Sequence, residues 1–339
     1  MSATINDVAK EAGVSPSTVS KVLNNWSTIS EETTRKVQDA IQRLDYTPNA
    51  RAVSFARKSS NNILFLTSLE KEQAYLNPHM FEIMCGVHKA LTDAQYTMML
   101  TDTSNEGEKG STVKRMMAQK CADGMIIHGS AINEETASII VKEQYPHIIV
   151  GKPTFENELC WVDTNHALAG QYAAKHMLSM GYERIAFIGG CRTDHISMQR
   201  QRGFLGRMFD YGCSVPDSYI RYTNSSLEES YQASYDVLSS HKEIEAVVCE
   251  NNLIAIGCLQ AVRALSLKIP DNLGFLTFDR YPYAGIMTPI PTVVDINMYD
   301  LGVQAGTMMV QKLHHPSMQI QSFITLPVLC QGESTRRMD

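Results

Sequence analysis

Thr4-Ile5-Asn6-Asp7-Val8-Ala9-Lys10-Glu11-Ala12-Gly13-Val14-Ser15-Pro16-Ser17-Thr18-Val19-Ser20-Lys21-Val22-Leu23-Asn24 holds two short helical patterns and the turn between them. Ile5, Val8, Ala9 and Ala12 recur at the spacing of one buried helical stripe. Thr4 and Asp7 stand three apart at its start, the spacing of a capping box. Gly13 ends the run where a sharp turn calls for positive φ. Ser15 can cap a second helix, and Pro16 falls at its first position, where a missing N–H costs nothing. That helix buries Val19, Val22 and Leu23 and turns Ser17, Thr18, Lys21 and Asn24 to its other faces. A third is expected from Ser30, with Glu31 and Glu32 at its positive end. It buries Val37, Ala40, Ile41 and Leu44 and ends before Pro48.

Helix, glycine turn, then a short helix with a polar face is the helix-turn-helix arrangement. Such a second helix has the girth to enter a major groove, with its N-terminal residues at base edges. An ordinary three-helix bundle is the competing reading. The exposed Ser17, Thr18 and Lys21, and the basic tail that follows, weigh against it. Residues 1–62 carry eight Lys or Arg against six acids, although the whole chain is net −6. A slightly basic head on an acidic body fits a phosphate-facing module attached to a larger one.

At 339 residues with 44% apolar content, the chain is long enough for about two domains of ~150 residues. No apolar run approaches the ~20 residues of a membrane span. Asp7 interrupts the start before any leader-like stretch, so a cytoplasmic protein with no membrane partner is expected. Eight cysteines without a CxxC pair read as reduced thiols, and no cofactor or metal is expected.

Ser59-Ser60-Asn61-Asn62 is a polar linker. Beyond it, apolar runs at 63–66, 97–100, 124–127 and 147–150 alternate with helical stretches such as Met80–Ala94 and Glu134–Glu143. A second set follows at 185–188, 246–249 and 275–278. Continuous apolar strands alternating with helices indicate parallel sheets covered on both faces. Two sets give two α/β lobes.

The run from Thr4 to Ser15, with Thr18 to Asn24, resembles the signature of the lactose-repressor family of bacterial transcription regulators. Tyr46-Thr47-Pro48-Asn49, followed by Ala50-Arg51-Ala52, resembles that family's approach to its hinge helix, and the likeness continues through the body. It implies a helix-turn-helix DNA-binding domain over 1–48 and a hinge helix with linker over 49–61. A two-lobed, periplasmic-binding-protein-like core with doubly wound parallel sheets would fill 62–339. Its first lobe is expected at about 62–161 plus 293–325, and its second at about 162–290 plus the C-terminal end.

Carried over by position, the resemblance places Pro16, Ser17 and Lys21 at major-groove bases. Thr4, Ser15, Thr18, Asn24, Ser30 and Thr33 fall at the phosphate backbone. Lys21 replaces the family's usual arginine and lacks its planar fork for guanine. Phe55 stands where the family places a leucine wedge in the minor groove; packing against a dimer mate is the alternative. For the effector, the resemblance points to Arg200, Asn251 and Asp279, with an ion pair between lobes as the other account of Arg200 and Asp279. Trp161, His128 and Asp163 are further candidates, with core or surface roles as their alternatives. Asn224-Ser225 and Ile296-Asn297 depart from the family's ring and glutamine, whereas Ile149-Val150-Gly151-Lys152-Pro153 resembles members that answer to maltose-type sugars.

No G-x-S-x-G elbow, Walker A loop, H-E-x-x-H or G-x-G-x-x-G stands in the chain, and Gly189-Gly190 lacks a third glycine. His314-His315 and the His166, His176 pair lack companions at metal spacing. The expectation is a regulator and not an enzyme. It would be a repressor that binds a near-palindromic operator as a homodimer under control of a small effector, a sugar. A stand-alone sugar-binding protein or sugar-processing enzyme would not need residues 1–58 in this pattern. A regulator answering to a partner protein is the remaining alternative.

Overall fold

A computed structural model describes residues 3–23, 26–47, 59–69, 78–104, 110–156, 158–280 and 284–335. The chain divides into two compact units, residues 1–61 with 120–123 and the remainder.

In the first unit, α1 (Ile5–Ala12), α2 (Pro16–Leu23) and α3 (Glu31–Arg43) enclose Val8, Ala9, Val19, Val22, Val37 and Ala40. The capping box is formed: the Thr4 N–H donates to Asp7 Oδ2 at 2.8 Å, and the Asp7 N–H donates to Thr4 Oγ1 at 3.4 Å. Gly13 has φ 66°, the left-handed turn for which glycine is suited. Ser15 Oγ accepts the Thr18 N–H at 3.2 Å, and Ser30 Oγ accepts the Thr33 N–H at 3.3 Å. Leu23, Ile41 and Leu44 were expected in the core and are only half-buried, at its rim. A three-helix unit this small lacks the second layer that would cover them. The expectations for Asn24, Phe55 and the hinge over 49–58 lie outside the described residues.

The second unit holds two six-stranded sheets. The first runs β11 (Ser322–Thr325), β5 (Trp161–Thr164), β4 (His147–Val150), β3 (Gly124–His128), β1 (Asn62–Thr67), β2 (Thr97–Asp102), all parallel. The second runs β12 (Val328–Cys330), β10 (Thr292–Asp295), β9 (Gly274–Phe278), β8 (Ala246–Cys249), β6 (Ile185–Gly189), β7 (Ile220–Tyr222), with β12 alone antiparallel.

Helices α4 (Pro78–Asp93) and α11 (Met298–His314) seal one face of the first sheet through Ile83, Val87, Leu91, Leu301, Ala305 and Met309. The same lobe also contains α5 (Ser111–Gln119) and α6 (Glu134–Lys142). In the second lobe, α7 (His166–Ser179) and α8 (His195–Asp210) cover the face carrying Ile185, Phe187 and Val248. The opposite face, with Ala186, Ile188 and Val247, packs on α9 (Leu227–Ser240) and α10 (Asn252–Ala264). Alternate residues of β6, β8 and β9 therefore serve opposite cores, which is why these strands read as unbroken apolar runs.

The chain passes between the lobes after β5, β10 and β11. Two expected boundaries move. The first lobe extends to Thr164, because Trp161 to Thr164 pair with Ser322 to Thr325. The return expected at 293 comes after Asp295, because Thr292 to Val294 pair with Leu276 to Phe278 of the second lobe. Asn297, with φ 46°, then turns the chain and caps α11 by accepting the Asp300 N–H at 3.1 Å.

Candidate functional site

The second lobe's strands β6, β8 and β9 end at a common edge, and α8 rises from it. Asp194 caps α8 by accepting the Ser197 N–H at 2.8 Å, which sets Arg200 one turn further in. Close helix packing fixes its depth. A Cβ on Gly170 of α7 would stand 1.9 Å from the Arg200 carbonyl oxygen, and one on Gly203 would stand equally close to that of Ala167. Only glycines allow the two backbones to approach so far.

Arg200 is 2% exposed. Its Nη1 donates to the Glu250 carbonyl at 2.6 Å, and its Nη atoms lie 3.3–3.5 Å from the Asp279 carboxylate. The guanidinium stacks over the Phe278 ring at 4.6 Å, a face it favours. Glu250 flanks it, with Oε1 at 3.6 Å from Nη1. The other oxygen, Oε2, accepts from the Gly190 N–H at 2.8 Å and Ser197 Oγ at 2.7 Å. Gly190 is thereby explained: a Cβ there would be 2.6 Å from both of those acceptor and donor oxygens. Two buried carboxylates thus bracket one buried cation, so that no charge of the three is buried without an opposite charge beside it.

Asp279 sits immediately past β9 at φ 67°, a conformation rare for a residue with a side chain. Its backbone is held at both ends: the N–H donates to Val294 O at 3.0 Å, and Asn252 Nδ2 donates to its carbonyl at 3.0 Å. Asn251 caps α10 by accepting the Ile254 N–H at 3.0 Å, and its Nδ2 donates to Ser225 Oγ at 3.1 Å. Arg200, Asn251 and Asp279 share one cavity of about 370 Å³ with Glu250, Asp194 and, from the first lobe, His79 on α4. His79 Nε2 is 3.5 Å from Asp279 Oδ2, and its Nδ1 is 4.0 Å from Glu82 Oε2. Burial lowers the His79 pKa, but the Glu82 and Asp279 carboxylates outweigh it and raise it overall.

The alternative of an Arg200–Asp279 pair between lobes is corrected by the topology. Arg200 is on α8 and Asp279 follows β9, both in the second lobe. In this cavity His79 of the first lobe meets Asp279 of the second.

Trp161, His128 and Asp163 are not among the residues lining this cavity. They serve the strand ends of the first lobe. His128 Nδ1 accepts the Ser130 N–H at 3.2 Å, and burial pushes its pKa down to about 4, so the ring is neutral. Asp163 accepts from the Lys152 N–H at 2.9 Å and the Thr164 N–H at 2.7 Å, and faces His166 Nε2 at 3.3 Å. Burial raises its pKa, but His166 and the two N–H donors outweigh that and lower it. Trp161 is half-buried, with Lys152 Nζ 5.6 Å from its ring centre.

On the small helical unit, Ser17 and Lys21 are exposed on α2 and Pro16 opens it. Ser15 Oγ lies 2.8 Å from Ser17 Oγ and 2.9 Å from Thr18 Oγ1. Ser30 Oγ donates to Thr33 Oγ1 at 2.9 Å. These hydroxyls cluster at the N-termini of α2 and α3, where helix N–H groups favour anions such as phosphate. Lys21 Nζ lies 5.7 Å from the ring centre of Trp26, which is 56% exposed.

Residues 4–49 match the family model for bacterial regulatory proteins of the lacI family, and residues 174–335 match a periplasmic binding protein-like domain. The HTH-type transcriptional repressor PurR of Salmonella newport is 31% identical over 98% of this chain and 96% of its own. The chain belongs to the LacI family. The HTH-type transcriptional regulator MalR of Streptococcus pneumoniae is 29% identical over 89% of this chain and 90% of its own. The lac repressor dimer bound to operator and the anti-inducer ONPF shares the fold, with TM-score 0.83 and 19% identity over 99% of both chains.

This LacI-family chain is therefore a DNA-binding transcriptional regulator, and its relatives are regulators and repressors, not enzymes. No helix among the described residues is long and apolar enough to cross a membrane. The sequence reading had missed His79, Glu250 and Trp26. Glu250 carried a signal, an acid directly after the apolar strand Ala246–Cys249 and before Asn251. His79 follows Asn77-Pro78, but nothing local pairs it with Asp279, two hundred positions on.

Proposed function

We propose that this LacI-family repressor binds a near-palindromic operator as a cytoplasmic homodimer and is controlled by a sugar held around Arg200, Asn251 and Asp279. The observation that carries the reading is the buried Arg200, fixed between Asp279 and Glu250 at the floor of a cavity of about 370 Å³. Fixed charged and amide groups in a small cavity suit a polyhydroxylated ligand, whose hydroxyls donate to carboxylates and accept from guanidinium and amide. The resemblance at Ile149 to Pro153 favours a maltose-type sugar.

Pro16, Ser17 and Lys21 read bases in this account, and Thr4, Ser15, Thr18, Asn24, Ser30 and Thr33 hold phosphates. Phe55 is the wedge. Two recognition helices enter successive major grooves of the operator. The edge strand β2, with Met99 and Leu100 exposed, offers a surface for a second copy. Effector closure of the lobes favours one of two dimer states. Coupling is reciprocal, so an effector that weakens operator binding must itself bind more weakly to the operator complex.

A thermal-shift screen with sugars, sugar phosphates and purines, maltose and maltodextrins included, tests the reading. A ligand at ~100 times its Kd adds about 2.7 kcal/mol to the stability of the state that binds it. A hit abolished by Arg200→Ala and Asp279→Ala supports the cavity. Silence across the panel, with operator binding intact, points instead to a partner protein.

A further inference from the structure

Ser59, Ser60 and Asn61 offer no apolar side chain, and a polar stretch of this kind between folded parts is ordinarily a solvated, flexible tether. Here it is fastened. Asp123, in the turn that leads into β3, belongs to the same compact unit as these residues. Its Oδ2 accepts from Ser59 Oγ at 2.6 Å and from the Asn61 N–H at 2.9 Å. Its Oδ1 accepts from the Ser60 N–H at 2.7 Å and from Ser60 Oγ at 2.9 Å. One carboxylate thus gathers donors from three consecutive residues through short, charge-assisted bonds. Asn61 completes the wrap at φ 52°, a left-handed conformation that asparagine tolerates better than most. Beyond the clamp the strand ladder begins, with Ile63 opposite Gly124.

We propose that Asp123 is a positioning residue for operator binding: it fixes the point from which the linker runs toward the DNA-reading helices, and so sets the half-site spacing the dimer accepts. The proposal rests on the reading of this repressor as a dimer on a two-half-site operator. Released, Ser59 to Asn61 would lengthen each tether by at most about 10 Å. That is about three base-pair steps at ~3.4 Å each, enough to blur the choice between neighbouring spacings. A longer, looser tether also lowers the effective concentration of the second head once the first is bound.

The test uses the full-length protein and an operator selected by the wild type from random DNA. Affinity is measured on that operator, on versions with one or two base pairs added or removed between half-sites, and on a single half-site. Asp123→Ala is expected to weaken binding to the selected operator about tenfold and to flatten the spacing preference. Half-site affinity stays unchanged, and Asp123→Asn is intermediate. A folded Asp123→Ala protein that keeps the wild-type spacing optimum overturns the proposal. So does an equal loss on half-site and full operator. Should Asp123→Ala fail to fold, the double variant Ser59→Ala, Ser60→Ala removes the hydroxyl donors and leaves the carboxylate, and is expected to broaden the spacing optimum in the same sense. A wild-type protein with no spacing optimum at all would overturn the two-half-site reading, and the proposal with it.

Discussion

His79 Nε2 and Asp279 Oδ2 stand 3.5 Å apart, although His79 is carried by α4 of the first lobe and Asp279 follows β9 of the second. This is a polar bridge at the cavity lined by Arg200, whose guanidinium lies against the same carboxylate. The bridge sets an imidazole beside an acid that already holds a guanidinium. The bridge therefore gains most when the ring is protonated.

The sign of its pH dependence follows. Burial lowers the His79 pKa, Glu82 and Asp279 raise it, the Arg200 charge lowers it, and the net shift is upward. A group whose folded pKa is raised contributes stability that is fully present below its unfolded value and lost as pH rises through the folded one. The window thus opens near the ordinary histidine value of about 6.5 and extends above it. Urea unfolding at closely spaced pH values should show the wild type losing stability there relative to His79→Gln. Parallel curves for the two proteins would show that the bridge contributes nothing.

His128 is expected to act in the opposite sense. Burial pushes its pKa down to about 4, and its Nδ1 accepts the Ser130 N–H, so the folded protein requires the neutral ring. Stability is then present above the unfolded value near 6.5 and is lost as pH falls toward 4, by about 3 kcal/mol in full. His128→Asn, which keeps an acceptor but cannot titrate, should flatten that acid limb. An acid limb as steep as the wild type's in the variant would assign the loss to other groups.

The small helical unit was legible because its determinants are local. Apolar spacing, Thr4 with Asp7, Gly13 and Ser15-Pro16 each act within one turn of helix. Arg200 and Asp279 were legible through a family likeness and through placement at strand ends. The bracket around them was not. Glu250 fits because Gly190 leaves space for its carboxylate, and His79 reaches Asp279 from the other lobe. Trp161, His128 and Asp163 also stand at strand ends, but of the other lobe, where Asp163 and His128 satisfy nearby backbone N–H groups. The crossing after Asp295 was misplaced for a related reason. Thr292 to Asp295 would suit either sheet, and only pairing with β9 assigns the strand.

Glu250 should prove a stability determinant as well as a lining residue. Glu250→Ala leaves the Gly190 N–H and Ser197 Oγ without their acceptor and removes one of two counter-charges beside the buried Arg200. Removing one partner of a buried pair costs about 3–5 kcal/mol; here Asp279 remains, so the lower end applies. Glu250→Gln keeps an acceptor oxygen for those donors and should lose less. Chemical denaturation of the two variants gives the comparison, and equal losses would mean that the charge, not the hydrogen bonding, is what Arg200 requires.

Gly170 offers a test of how Arg200 is held in place. A methyl group there would lie 1.9 Å from the Arg200 carbonyl oxygen, so α7 and α8 must separate in Gly170→Ala. Overpacking of this kind costs about 1–3 kcal/mol and moves backbone. The variant should melt lower and lose affinity for any ligand found in the thermal-shift screen, although residue 170 is not among those lining the cavity. Unchanged ligand affinity in a destabilised variant would show that Arg200 keeps its position independently of the helix packing.

Lys21 stands exposed on α2 with its ammonium 5.7 Å from the ring centre of Trp26. A lysine offers one rotating set of donors where arginine offers a planar fork, so its contact discriminates less sharply between bases. Lys21→Ala should still lose about 1–3 kcal/mol on the preferred operator and relax the preference at a single base pair in each half-site. Lys21→Arg should sharpen that preference if guanine is the base concerned, because the fork meets O6 and N7 together. Binding measured on a panel of operators substituted at each position separates base reading from phosphate holding. A lysine that only holds phosphate would weaken every sequence alike and lower the salt dependence by about one counterion.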